Sequence, residues 1–70
     1  MEFYTVITNK LGVFTGETLM GSKEQYNRML DICKHFHEQE SYYQYLDNGD
    51  FFVIGKEIIK DSIIQIKIKE

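Results

Sequence analysis

The chain contains no proline and no alanine, and it has one cysteine and one arginine. Each scarcity removes an option. A single cysteine, Cys33, leaves no partner for an internal disulfide. Two histidines and one cysteine are too few for an ordinary four-ligand Cys/His zinc site. No apolar run approaches the roughly 20 residues that span a bilayer. No block of five like charges occurs, so neither a basic arm for nucleic acid nor an acidic tail mimicking it is expected. The opening Met1-Glu2-Phe3 lacks the basic region and apolar core of a secretory leader. A lone thiol also fits a reducing compartment. The expectation is a cytoplasmic protein without metal, cofactor or membrane contact.

What is present describes one small domain over residues 1–70. At this size a fold buries roughly 60% of the surface its unfolded chain exposes. Such a core rarely supplies more than about 3–5 kcal/mol without a staple. With disulfide and zinc excluded, the remaining staple is oligomerisation. The net charge of −3 is unevenly spread, with four Lys/Arg against eight Asp/Glu in residues 1–50 and four against three in 51–70. A negative balance argues against duplex binding, which draws its affinity from cations neutralising phosphates.

Alanine and proline are encoded only by GC-rich codons, so their absence beside abundant Ile, Lys, Tyr and Phe points to an AT-rich genome. In this respect the chain resembles accessory proteins of phages and mobile elements in low-GC bacteria. The resemblance implies an inhibitor of a host or defence protein.

Secondary structure is legible in the pattern. Ile63-Ile64-Gln65-Ile66-Lys67-Ile68-Lys69-Glu70 alternates almost without a break, the period-2 signature of a half-buried strand. Residues 2–8 are β-branched and aromatic, which suits another strand. Asn9-Lys10-Leu11-Gly12 offers a turn, with Val13-Phe14-Thr15 returning. Ser22 with Gln25 three residues on marks a capping box. Apolar residues at 26, 29, 30, 33 and 36 then predict an amphipathic helix fading by about Gln39. Asn48-Gly49 suits a two-residue type I′ hairpin, which would set Leu46 opposite Phe51, Tyr45 opposite Phe52 and Tyr43 opposite Ile54. Residues 55–62 fit either a helical turn or a second hairpin. The expected fold is α+β: an antiparallel sheet of about four strands, in the order ββαβ(β)β, with one helix packed on one face.

In that hairpin register, Tyr43, Tyr45, Phe52 and Ile54 share one face, and Tyr42, Leu46, Phe51 and Val53 the other. On the first strand, Phe3 and Ile7 oppose Tyr4 and Val6. One helix covers one face only, and large exposed apolar patches mark interaction sites. Tyr4, Val6, Tyr42, Leu46, Phe51 and Val53 are therefore the expected oligomer or partner interface, unless residues 56–62 or the Gly16–Gly21 stretch fold over it. A free edge strand offers a second route, by strand addition.

Candidate chemistry is thin. Cys33 and His37 stand four apart and could pair as thiolate and imidazolium, but a core cysteine with a boundary histidine explains them as well. His35 is set four residues from Asp31, as a solvated ion pair would be. Asp47 and Asp50 flank a turn, where Asp is favoured. Gly12, Gly16 and Gly21 match no phosphate-loop spacing. The aromatics Tyr42, Tyr43, Tyr45, Phe51 and Phe52 could stack bases, yet no basic residue interleaves them. The expected function is a non-catalytic interaction protein, a homodimer that binds and modulates another protein. One alternative is an oligomer that sequesters a nucleotide-like small molecule. A second is a single-stranded nucleic-acid-binding module.

Overall fold

Strand-forming residues crowd both ends of the chain, and the ends pair. The computed structural model describes residues 1–70. In chain order its elements are β1 (Glu2–Asn9), β2 (Gly12–Thr15), β3 (Leu19–Met20), α1 (Lys23–Lys34), a 3-10 turn (Phe36–Glu38), β4 (Ser41–Tyr45), β5 (Phe51–Gly55), α2 (Lys56–Lys60) and β6 (Ile63–Lys69). β1 is central: β6 lines one edge antiparallel from Glu2–Lys69 to Thr8–Ile63, while β2 and β3 line the other. β4 and β5 form a separate two-stranded ribbon, joined to the larger sheet by a bridge between Gly16 and Leu46. The fold is α+β, with antiparallel sheets and one main helix, as the pattern predicts.

β2 and β3 are two parts of one bulged strand. Val6 faces Thr15 and Phe3 faces Leu19, so three steps on β1 are matched by four on its partner. The extra residue falls in the Gly16–Thr18 stretch and bends the strand there.

Alternation on β1 buries Phe3, Thr5 and Ile7 and leaves Tyr4 and Val6 half-buried on the outer face. Helix α1 lies on the Phe3 side, with the Tyr26 ring edge-on to Phe3 at 5.6 Å. The capping box forms as read: Ser22 Oγ accepts from the Gln25 N–H at 3.2 Å, and Gln25 Oε1 accepts from the Ser22 N–H at 2.7 Å. The helix contributes no fully buried residue. Its apolar arc reaches the core only after the α-helix ends, when the 3-10 turn delivers Phe36.

The hairpin departs from the expected register by one residue. Tyr45 faces Phe51, Tyr43 faces Val53, and Tyr42 faces Ile54. Only Gly49 takes a positive φ, at +89°; Asn48 does not. Asn48 Oδ1 instead accepts the Asp50 N–H at 2.9 Å, a local bond that favours an ordinary turn. The loop is therefore three residues, closed by Leu46 N–H to Asp50 C=O at 2.8 Å and Gly49 N–H to Leu46 C=O at 3.0 Å. A one-residue slip reassigns faces. Tyr42 and Leu46 lie on the core side with Phe52 and Ile54, whereas Phe51 and Val53 share the outer side with Tyr43 and Tyr45.

The core is Ile7, Phe36, Phe52, Ile54 and Ile59, rimmed by Phe14, Tyr42, Leu46, Ile58 and Ile64. Residues 56–60 are the helical turn of the two expected possibilities, and they bury Ile59. Ser62 follows, also buried, donating to the Ile58 C=O at 2.5 Å and accepting from Asn9 Nδ2 at 3.1 Å.

Candidate functional site

The β4–β5 ribbon has five residues per strand, none of them charged. Its inner side is committed to the core. On the outer side Tyr43, Tyr45, Phe51 and Val53 stand 69%, 56%, 54% and 60% exposed. The rings touch one another: Tyr43 and Tyr45 lie 5.9 and 5.1 Å from Phe51, centroid to centroid. The result is one continuous aromatic surface.

Beside it runs a cleft of about 330 Å³. β4, Leu19, Met29 and Ile32 of α1, Gly16 and Thr5 line it. Its lining includes a small hydrogen-bonded polar group. Gln44 Oε1 accepts from the Thr5 hydroxyl and from the Tyr42 hydroxyl, each at 2.8 Å. Gln44 Nε2 is buried and has no hydrogen-bond partner. Glu17 is the one charged residue on the lining, and it forms no ion pair.

No family model, curated protein or solved structure matches the chain. Function must therefore be read from these surfaces.

The six residues expected at an interface fall in three places. Phe51 and Val53 are on the aromatic face. Tyr42 and Leu46 pack against the core, and Tyr4 and Val6 sit half-buried on the outer face of β1 near the exposed Val13 and Ile63. Tyr43 and Tyr45 join the surface instead, because the register slip turns them outward. Ile32 lies off the predicted helical arc, yet with Met29, three residues earlier, it lines the cleft. An isoleucine on the polar side of that arc was the available signal.

The thiol and histidines are accounted for locally. The α-helix ends at Lys34, so His37 turns away from its expected partner and its Nε2 lies 2.7 Å from the Ser62 C=O. His35 contacts Glu38 at 2.8 Å, with Asp31 at 3.9 Å. Asp50 takes a bond from Asn48 within the turn, and the Asp47 N–H bonds the Thr15 C=O. No three His, Cys, Asp or Glu side chains converge on one point.

Burial raises the Cys33 thiol above its ordinary 9.0. Burial also raises Tyr42 above 10.0; the Thr5 hydroxyl opposes that shift and the nearby Cys33 adds to it. Both are neutral acids that the folded state keeps protonated while the unfolded chain releases its protons. Their contribution is complete below about pH 9 and is lost as pH rises through the raised values. The urea midpoint is expected to fall as pH rises above about 9, with part of the fall abolished in Cys33→Ser. A midpoint that stays level above that pH would contradict the assignment.

Proposed function

We propose that this chain is a non-catalytic interaction protein that dimerises through the outer face of the β4–β5 ribbon and acts by binding another protein. The observation that carries this reading is the group Tyr43, Tyr45, Phe51 and Val53, all more than half exposed on a ribbon whose other side is the core. Interface centres are depleted in charge and enriched in Tyr and Phe, and this face has that composition. A two-fold axis through the ribbon would bury the same residues from both copies. The small size supports the need for it, since a core this small is marginal alone. The composition, free of alanine and proline, supports a phage or mobile-element origin and a host or defence protein as the target, and the free Cys33 fits a cytoplasmic setting.

Sedimentation equilibrium tests the self-association. The wild type is expected to be a dimer. Phe51→Asp and Val53→Asp are expected to be monomers with unchanged circular dichroism, because neither side chain enters the core. Loss of a central anchor of about 2 kcal/mol or more corresponds to at least a roughly 30-fold weaker dimer. A monomeric wild type would overturn the dimer.

A further inference from the structure

The inner edge of β4 is an open strand edge. In an antiparallel ladder, bonded and non-bonded pairs alternate. Leu46 N–H bonds the Asp50 C=O, so Gln44–Phe52 and Tyr42–Ile54 are the bonded pairs, and Tyr43 and Tyr45 aim their backbone groups away from β5. The Tyr45 C=O confirms this by accepting the Glu17 N–H at 3.0 Å on the far side. That pairing, begun at Gly16–Leu46, would if continued set Leu19 opposite Tyr43. It stops, because the bulge carries the chain across to β1, where Leu19 faces Phe3. By that alternation the Tyr43 N–H, the Tyr43 C=O and the Tyr45 N–H point away from β5, and none of the backbone bonds outside the ladders takes them up.

The cleft occupies the place of the missing strand. It touches every residue from Ser41 to Tyr45, those pointing inward and those pointing outward, as only a groove along the strand's edge can. We propose that it takes an extended segment of a partner protein as an added strand on β4. The segment exchanges main-chain bonds with Tyr43, rests apolar side chains on Met29 and Ile32, and carries a Lys or Arg to the unpaired Glu17. Ser41 to Tyr45 spans roughly 13 Å, enough for about five residues. This deepens the interaction reading; Tyr43 and Tyr45 border both surfaces, but Val53 and Phe51 do not line the cleft, so substitutions there test dimerisation separately.

Amide hydrogen exchange on the free protein is the first measurement. The Tyr43 amide is expected to exchange at least tenfold faster than those of Tyr42 and Gln44, and a protected Tyr43 amide would overturn the proposal. Six capped hexapeptides of alternating Val and Thr, with one Lys moved through each position, are the probes. At least one is expected to shift the Tyr43, Tyr45 and Ile32 resonances and to slow Tyr43 exchange tenfold. Methylating its alternate peptide nitrogens should abolish binding. Ile32→Asp and Glu17→Lys should weaken it at least tenfold, and Val53→Asp should leave it unchanged. Binding that survives methylation would show a cleft for side chains or small molecules and would overturn strand addition, as would no binding by any of the six.

Discussion

Phe36→Ala is expected to leave the chain unfolded at room temperature. Phe36 is fully buried, with Tyr42 edge-on at 5.2 Å, and it joins Ile7, Phe52, Ile54 and Ile59 in the only cluster of buried apolar side chains. Truncating a core phenylalanine costs about 3–5 kcal/mol, the transfer term plus the cavity left behind. A core of this size supplies about the same amount in total. Far-ultraviolet circular dichroism should show a largely disordered chain, and Phe36→Leu should remain folded with a lower urea midpoint. A cooperative unfolding of Phe36→Ala near the wild-type midpoint would show that α1 and its turn are dispensable to the core.

Gly16→Val carries the next largest effect, for a reason that has nothing to do with turn geometry. Gly16 does not adopt a positive φ. It is the joint between the sheets: its N–H bonds the Thr5 C=O at 2.8 Å, and the two bridging bonds to the ribbon lie on either side. A Cβ there would stand 2.8 Å from both Thr5 Oγ1 and Gln44 Nε2. Overpacking of this kind costs about 1–3 kcal/mol, with Gly16→Ala at the low end and Gly16→Val at the high end. Urea denaturation measures it. Gln44→Ser should recover part of the loss, because it removes the crowded carboxamide, and the coupling in that cycle reports the contact directly. Equal losses in both backgrounds would place the cost elsewhere.

Elements with a strong local signature were legible in the residues alone. The capping box at Ser22 and Gln25, the alternation of residues 63–69 and the turn at Asn9–Gly12 each carry their own chemistry within a few positions. The hairpin was legible as a hairpin but not in register. Asn-Gly supports two loop lengths, and the three-residue loop formed here carries the bond from the Asp50 N–H to Asn48 Oδ1. The one-residue slip decides whether Tyr43 or Tyr42 meets solvent, and so most of the candidate surface turned on it. The role of Gly16 was not legible, since a glycine needed for close approach looks the same in sequence as one needed for a turn. Nor was the cleft, which arises from a bulge between strands far apart from β4 in the chain.

The pairing of β1 with β6 has a consequence for how the chain comes into being. Phe3 meets Ile68 and Glu2 meets Lys69, contacts that span nearly the whole sequence. Such a topology has a high contact order, and its loops must close before the contacts that reward closure can form. During synthesis the first strand emerges long before its neighbour is made. Until residues 63–69 are released, one side of β1 has no native mate, and Val6 and Ile7 are presented to the surroundings on an open edge. The central sheet thus cannot close before residues 63–69 have emerged, and refolding should be slower than in helical proteins of equal length. The interval of exposure is set by the ribosome rather than by the protein.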